Sequence, residues 1–406
     1  MTAAQSLSEF APENPAFIAD PYPAYERLRD RGRVHWYEPS RQWLIPHYED
    51  VNRLLRDRRL GRTYLHRFSH EKFGRAAPPL DHEPFHVLNG NGILDLEAPD
   101  HTRIRRLVSK AFTPRTIEQL APTVERLAAG LVDELLAAGG GDLLMMVAEP
   151  LPVAVIAEML GVPVSDRHLL RPWSAAICRM FELNPDENAA RGAVRASIEF
   201  SAYLRALIDE RRSAPGEDLI SALIAAHEEG DRLTEQEMIS TCVLLLNAGH
   251  EATVNATTTG WWTLFRHPDQ LEQLRGMPRT IPNAIEELLR FDTPLQMFER
   301  WVLDDVEIDG TLMPRGSEIA LLFGSANRDP GRFPDPDRLD LTRSDNRHMS
   351  FGAGIHFCLG APLARIELAA SFGELMRRAP TLRLVREPEW KSGYVIRGLK
   401  ELLVEV

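Results

Sequence analysis

The segment FGAGIHFCLG, residues 351–360, places one cysteine between glycine turns and the start of a predicted helix. From Ala361 to Arg377 apolar residues recur at three- and four-residue steps, which predicts an α-helix. Cys358 therefore lies just before a helix N-terminus. Unpaired backbone N–H groups and the positive end of the helix dipole favour a thiolate there. A thiolate in this position can serve as an axial ligand to iron.

Three glycines frame this cysteine, namely Gly352, Gly354 and Gly360. Because they lack a Cβ, the backbone can approach a flat macrocycle closely and can adopt positive φ without strain. A cysteine considered alone is more often an ordinary buried thiol. The iron-ligand interpretation therefore depends on partner motifs elsewhere in the chain.

The segment matches the pattern F-x-x-G-x-x-x-C-x-G at every fixed position, and this pattern resembles the haem-binding signature of the cytochrome P450 family. The resemblance implies that Cys358 holds the iron of haem b, iron protoporphyrin IX. It also implies a mainly α fold with small β-sheets, in which the haem lies between a long central helix and the helix that follows the cysteine.

A predicted helix over Ile281–Phe291 carries Glu287 and Arg290, three residues apart and so on one face. The two resemble the Glu-x-x-Arg pair of the family, which implies that they are buried and connect the haem-side meander to the core. Most isolated pairs of this spacing are surface salt bridges worth under ~1 kcal/mol.

Four further residues occupy family positions for the haem propionates. His101 and Arg105 are about one helical turn apart, Arg300 follows Glu299, and His356 precedes the cysteine by two. The planar fork of arginine suits a carboxylate. Each of these residues taken alone is equally compatible with a surface charge.

A long helix is predicted from Leu233 to about Arg266, opened by a capping box of Thr234 and Glu237. At 1.5 Å per residue it would span ~50 Å. Its centre, AGHEAT at residues 248–253, resembles the oxygen-activation motif of the family. The resemblance implies that Glu251 and an alcohol relay protons, while small residues leave room for dioxygen and substrate.

The sequence departs from the family pattern at Ala252, where a threonine is usual, and the nearest hydroxyl belongs to Thr253. A shift of one residue is a rotation of ~100° around a helix. Three interpretations remain open: Thr253 acts through a locally unwound turn, a substrate hydroxyl or water completes the relay, or the chemistry needs no strong relay.

Composition narrows the function classes. A net charge of −12 over 406 residues argues against nucleic acid as a partner. We find neither a linker nor a repeat, so residues 1–406 are predicted to form a single domain. Three separated cysteines exclude a zinc cluster of paired cysteines, and Cys178 and Cys242 are predicted to be packing residues. No N-terminal run approaches the ~20 apolar residues of a membrane helix, so a cytoplasmic monomer of bacterial type, without a membrane partner, is predicted.

One stretch is locally basic. Between His101 and Arg115 there are five basic side chains and no acidic one: Arg103, Arg105, Arg106, Lys110 and Arg115. If Arg105 faces haem, the others can form a patch that attracts an acidic ferredoxin. The alternative is an ordinary solvated helix face.

The resemblance also implies which residues face the substrate. The wall near iron is predicted to consist of Leu245, Ala248, Leu295, Met297, Val395 and Ile396. This wall is largely apolar, which favours an apolar small molecule bound mainly by desolvation. Candidates for orienting polar substrate groups are Tyr64, His82, His86 and Gln296.

The leading hypothesis is a haem-thiolate monooxygenase, an oxidoreductase that incorporates one atom of dioxygen into a C–H bond. Its electrons come from a ferredoxin and an NAD(P)H-dependent reductase. A second hypothesis, suggested by Ala252, is peroxide-driven or otherwise atypical oxidation. A third, from another class, is a haem-based ligand sensor or carrier.

Helices are predicted over most of the chain, and residues 59–96 are predicted to be a loop. The predicted helices that bear on the site or its supports are Tyr22–Asp30, Asp100–Phe112, Pro114–Ala138, Glu187–Ser213, Leu219–Glu228, Ile281–Phe291 and Ala361–Arg378.

Overall fold

The computed structural model describes residues 7–228 and 231–406. The predicted fold class is confirmed, because α-helices dominate and the β-sheets are small. The α-helices are α1 Pro15–Ala19, α2 Tyr22–Arg31, α3 Tyr48–Leu54, α4 His70–Phe73, α5 Glu83–Gly90, α6 Asp100–Ala111, α7 Pro114–Ala137, α8 Pro150–Leu160, α9 Leu170–Cys178, α10 Glu187–Ser213, α11 Leu219–Ala225, α12 Glu235–Arg266, α13 Pro268–Gly276, α14 Ile281–Phe291, α15 Phe323–Ala326 and α16 Ala361–Arg378.

The strands are β1 His35–Tyr37, β2 Gln42–Ile45, β3 Leu60–Gly61, β4 Gly140–Asp142, β5 His227–Glu228, β6 Asp231–Arg232, β7 Met297–Val302, β8 Val306–Ile308, β9 Thr311–Met313, β10 Glu318–Leu322, β11 Arg383–Leu384 and β12 Leu403–Glu405. Within the described chain, no helix combines the length and the apolar composition needed to cross a bilayer.

The chain divides into two compact units, each assembled from separated stretches. The first unit takes residues up to Ala77, Asn255–Cys358 and Leu382–Val404. The second takes Pro78–Val254, Leu359–Thr381 and the last two residues. The single-domain organisation over residues 1–406 stays a prediction.

The first unit is built on a five-stranded sheet in the order β1-β2-β10-β7-β3. β10 runs parallel to β2 and antiparallel to β7, which places Arg300 opposite Ile319. Apolar side chains of this sheet, among them Ile45, Val302 and Leu321, form one core cluster. The rigid sheet thus holds Arg300 at a defined register.

The second unit is helical. α7 packs against α16, and α10 packs against α9 and α5. Both Cys178 and Cys242 are buried here, as predicted, and burial raises the pKa of the Cys242 thiol to about 12. These two thiols are therefore packing groups.

The predicted start of the long helix is confirmed. Thr234 Oγ1 accepts a hydrogen bond from the Glu237 N–H at 3.2 Å, and Glu237 Oε2 accepts one from the Thr234 N–H at 2.8 Å. This reciprocal capping box satisfies two N–H groups that the helix itself leaves unpaired.

Two local predictions were wrong. Residues 59–96 are not a loop, because β3, α4 and α5 lie within them. In α5 the buried residues Phe85 and Leu88 are three apart, a helical spacing that the surrounding polar residues obscured. The helix predicted over Leu219–Glu228 ends at Ala225, since residues 227–228 pair with β6 instead.

Glu367 on α16 is buried in the second unit, with 2 % of its surface exposed. Among the described residues, its Oε1 has no hydrogen-bond partner. Burial raises the pKa of this carboxyl to about 8. At low pH the Glu367 side chain is protonated, and its burial in the folded state then costs no buried charge. Because the pKa is higher in the folded state than in the unfolded state, the protein loses stability as the pH rises from about 4.5 to about 8.

We therefore expect Glu367→Gln to be more stable than the wild type at pH 8.5, by roughly 3–5 kcal/mol of unfolding free energy. This difference in stability should shrink towards pH 5. Thermal unfolding of the holoenzyme across this range measures the effect. The control is Glu134→Gln, an exposed glutamate on α7. A pH-independent difference in Glu367→Gln would contradict the assignment.

Candidate functional site

The cysteine segment folds as a tight loop. A single 3-10 turn spans Gly354–His356. The Cys358 N–H donates to Phe351 O at 3.0 Å, so the two ends of the loop are joined by their backbones. Cys358 is half-buried, in contrast to the other two cysteines, which are buried. The loop therefore leaves part of the surface of Cys358 accessible.

Gly352 and Gly354 both have positive φ, +66° and +71°. At Gly354 a Cβ would lie 2.3 Å from Leu55 O, whereas at Gly352 the nearest atom, His356 O, is 4.0 Å away. Gly354 is therefore required both by its φ and by the close approach of another backbone. The sequence indicated the first reason only.

Polar side chains attach the start of the loop to α14. Ser350 Oγ donates to Leu289 O at 2.8 Å, and the Met349 N–H donates to Asn327 Oδ1 at 2.6 Å. Asn327 O in turn accepts from Arg290 Nη1 at 2.8 Å. The position of the cysteine loop thus depends on the helix that carries Arg290.

Glu287 and Arg290 form a bidentate pair with distances of 2.7 and 2.8 Å, and both side chains are fully buried. The Glu287 carboxylate also accepts from the backbone N–H of Asp340 and from the side chains of Arg343 and Asn346. Desolvation lowers the pKa of Arg290, while the Glu287 carboxylate opposes that shift. Sequence reasoning missed Arg343 and Asn346, since both lie more than fifty residues from Glu287 and have no local signal.

The candidate propionate ligands lie on different elements. His101 is buried on the first turn of α6, and Arg105 is half-buried one turn later. Arg300 is buried on β7, with its guanidinium 4.7 Å from the centre of the Phe298 ring, and His356 is half-buried at the end of the 3-10 turn. His101 and Arg105 belong to the second unit, Arg300 and His356 to the first. Their joint role in binding propionates stays a prediction.

One face of α12 is accessible to solvent although most of the helix is buried. Ala248 is exposed and Leu244 and Ala252 are half-buried, so the accessible positions recur at four-residue steps. Glu251, adjacent to Ala252, is also half-buried. Small side chains on this face leave space for a bound group beside the helix.

Thr253 lies outside that face, with 5 % of its surface exposed. The helix is continuous from Glu235 to Arg266, so there is no unwound turn that would redirect the Thr253 hydroxyl. The role of Thr253 in the relay stays a prediction, beside the two interpretations that do not need such a turn.

The residues predicted to face the substrate differ in accessibility. Ala248 is exposed, and Leu295 and Ile396 are half-buried. The other three, Leu245, Met297 and Val395, are buried, and Met297 has no exposed surface. Of the polar candidates, Gln296 is also buried, and its side chain is bonded to Tyr25 and to Thr293 O. Gln296 is therefore a supporting residue and does not face a ligand.

The basic side chains of residues 101–115 differ in their exposure and in their acidic partners. Arg103 pairs with Glu237 and lies 3.5 Å from Asp231, and the Glu237 carboxylate raises the pKa of Arg103. Arg106, Lys110 and Arg115 are exposed. Any basic patch consists of these last three, since acidic residues from distant segments neutralise Arg103.

These features fit haem b. In the first unit, the half-buried Cys358 and the buried guanidinium of Arg300 are groups of the kind that a thiolate-ligated macrocycle with carboxylates needs. In the second unit, the buried imidazole of His101 and the accessible Ala248 and Ala252 of α12 are also of a suitable kind. Haem supplies the iron chemistry, and the chain supplies its ligand and its surroundings.

Comparisons with known proteins agree with this class. The family model described as Cytochrome P450 matches residues 277–379. The monooxygenase PikC of Streptomyces venezuelae is 41 % identical over 95 % of this chain and 91 % of its own length. The polyketide biosynthesis cytochrome P450 PksS of Bacillus subtilis strain 168 is 38 % identical over 98 % of both chains. A crystal structure of P450BioI with a hexadec-9Z-enoic acid ligated acyl carrier protein is 35 % identical, with a TM-score of 0.89 over 96 % of this chain and 99 % of that one.

The fold and the cysteine loop define a haem-thiolate oxidoreductase. The chain belongs to the cytochrome P450 family. It is a monooxygenase with haem b as its cofactor, so the alternative of a sensor or carrier is not retained.

The two loop glycines offer a matched pair of substitutions. Both Gly354→Ala and Gly352→Ala put a side chain at positive φ, at a cost of roughly 1–2 kcal/mol. Only Gly354→Ala adds a collision with Leu55 O. We expect Gly354→Ala to lose most of its haem, while Gly352→Ala keeps more than half, as measured by the haem-to-protein ratio and the carbon monoxide difference spectrum. Equal retention in the two variants would contradict the role given to the close approach.

Proposed function

We propose that this monooxygenase receives electrons from a ferredoxin and its NAD(P)H-dependent reductase and hydroxylates a largely apolar small molecule of secondary metabolism. The observation that carries the proposal is the accessible face of α12, where Ala248 and Ala252 present only methyl groups. In the first unit, the half-buried side chains of Leu295 and Ile396 are also apolar. Apolar surfaces of this kind bind a ligand mainly by desolvation.

The names of relatives support the substrate class. PksS is named for polyketide biosynthesis, and P450BioI was crystallised with an acyl chain carried on a protein. The hexadec-9Z-enoic acid of the P450BioI complex is a long hydrocarbon chain. We carry this class, and no particular compound, over to the present chain.

Three residues have roles close to the chemistry. The Cys358 thiolate would hold the haem iron as its protein ligand. Glu251, half-buried beside the accessible face, would hold and release a proton at its carboxylate. Ala248 leaves the volume in which substrate and dioxygen meet. When bound, the haem supplies the activation of dioxygen.

Ala252 stands where a threonine is usual, and the neighbouring Thr253 is buried. We propose that a hydroxyl of the substrate, or an ordered water beside Ala252, completes the relay from Glu251. This follows from the accessible position of Ala252 and the buried position of Thr253 on a continuous helix.

Peroxide-driven oxidation is a second candidate, because an incomplete relay reduces the advantage of dioxygen over peroxide. Supplying hydrogen peroxide without reductase separates the two. Product formed at the reductase-supported rate would favour peroxide.

A reconstituted assay tests the main proposal. The ferric holoenzyme is first titrated with apolar candidate compounds, and a change from low to high spin identifies ligands that displace the water on iron. Those ligands are then incubated with ferredoxin, reductase and NAD(P)H. Hydroxylated product in the wild type and none in Cys358→Ala supports the proposal. NAD(P)H consumption without product from any spin-shifting ligand would refute it.

We further propose that the protein acts as a cytoplasmic monomer with all 406 residues in one domain. Its three cysteines are not joined in disulfides, as is usual in a reducing compartment. Sedimentation of the holoenzyme tests the monomer.

We expect Glu251→Gln to lower turnover about 10²-fold or more, because a proton donor is lost. Thr253→Ala should keep the coupling of NAD(P)H to product within about twofold, because its hydroxyl lies outside the accessible face. Coupling is measured as product formed per NAD(P)H consumed, and Ala252→Thr serves as the matched variant that adds a hydroxyl on the face. A collapse of coupling in Thr253→Ala would show that its hydroxyl belongs to the relay.

The double variant Arg106→Glu/Lys110→Glu should raise the KM for ferredoxin about tenfold at low salt, with the difference diminishing at high salt. Both side chains are exposed on α6. Arg191→Glu, an exposed arginine on α10, is the control. An unchanged KM in the double variant would place the ferredoxin surface elsewhere.

A further inference from the structure

Two segments that are a hundred residues apart meet beside the candidate pocket wall. The Gln296 N–H donates to Val395 O at 3.0 Å, and the Arg397 N–H donates to Pro294 O at 2.8 Å. These bonds flank an antiparallel bridge between Leu295 and Ile396. The two accessible apolar side chains are therefore placed together by backbone pairing.

A buried chain of hydrogen bonds supports this bridge. Tyr25 and Gln296 have no exposed surface, and Tyr394 has 2 %. The Tyr25 hydroxyl donates to Gln296 Oε1 at 2.9 Å and lies 2.8 Å from the Tyr394 hydroxyl, while Gln296 Nε2 donates to Thr293 O at 2.7 Å. Side chains from α2, from the segment before β7 and from the C-terminal turn thus share one network.

The direction of these bonds follows from the number of protons. A carbonyl oxygen such as Gln296 Oε1 can only accept, so the Tyr25 hydroxyl donates its single hydrogen bond to it. The Tyr394 hydroxyl must then donate a hydrogen bond to the Tyr25 oxygen. Burial raises the pKa of Tyr25 well above its ordinary value, so the chain stays protonated. Tyr25 is the central member, since its removal breaks both bonds and leaves buried groups unpaired.

The network is also packed tightly from behind. A Cβ at Gly324 on α15 would lie 2.2 Å from Gln296 Oε1 and 2.9 Å from Tyr25 Cε2. In addition, Gly324 N–H donates to Gln296 O at 3.1 Å. Gln296 therefore has little room to move, and neither has the bridge residue Leu295 next to it.

We propose that the chain Tyr394–Tyr25–Gln296 is a positioning device for substrate selection, which sets where Leu295 and Ile396 stand against the ligand. This rests on the proposed function, in which those two side chains contact the substrate. None of the three polar residues touches substrate itself. They act by fixing the bridge, whose accessible side chains then determine which ligand shape fits near iron.

The test uses ferric holoenzyme and two probes that ligate iron through nitrogen, imidazole and 4-phenylimidazole. Imidazole is too small to reach a distant wall, whereas the phenyl group extends away from iron. We expect Tyr25→Phe to change the ratio of the two dissociation constants about three- to tenfold, with the imidazole constant nearly unchanged. Spectral titration measures both constants, and the carbon monoxide difference spectrum checks that the haem site is intact.

Tyr37→Phe is the matched control. Tyr37 is a buried tyrosine whose ring lies 4.9 Å from that of Phe10, which also packs against Tyr394. This substitution should leave the ratio unchanged. Tyr394→Phe should shift the ratio less than Tyr25→Phe, because the bond from Tyr25 to Gln296 survives, and it decides the matter if Tyr25→Phe does not fold.

Suppose that both network variants melt at a lower temperature but have the same ratio of dissociation constants as the Tyr37→Phe control. The network would then only stabilise the fold, and the proposal would be overturned. A wild type in which the phenyl group has no effect on affinity would overturn it as well. Product formation plays no part in this test. Failure of the proposed function, seen as absent product, is therefore distinguishable from failure of the positioning role.

Discussion

In the first unit, the position of the cysteine loop depends on one buried carboxylate. Glu287 accepts hydrogen bonds from Arg290, Arg343, Asn346 and the backbone of Asp340, and so joins α14 to the segment that leads into the cysteine loop. A charge taken out of water is costly unless such partners surround it, and loss of one partner would leave the others buried and unpaired. The position of Cys358 follows from this network through Arg290, Asn327 and the residues that start the loop.

Close packing and accessible surface occur in different segments of the chain. In the first unit, an added carbon at Gly354 would collide with Leu55 O, and one at Gly324 would collide with the side chain of Gln296, next to the bridge between Leu295 and Ile396. On α12 the accessible residues include the small Ala248 and Ala252, whose side chains leave space beside an otherwise largely buried helix. The first unit thus holds its backbone closely packed, while the second unit keeps an accessible helix face.

Much of the local structure could be predicted from the sequence. The bounds of α10, α14 and α16 follow from apolar periodicity and helix-end residues. The capping box of α12 could be predicted from the four residues Thr234–Glu237. The haem-ligand segment was equally clear, because its glycines and cysteine are adjacent in the chain. Failures occurred where a local signal was weak, as in α5, or where a strand partner overrode helical propensity after Ala225.

The sequence by itself determined the family and the cofactor and predicted the sulfur ligand, since each of the motifs that carry these inferences is a short stretch of neighbouring residues. Only the tertiary structure decided that Met297 and Gln296 are buried, that Arg103 is neutralised by Glu237, and that Thr253 lies off the accessible face of its helix. The physical reason is that burial and pairing are properties of contacts between distant segments. A residue's own type and its sequence neighbours do not specify those contacts.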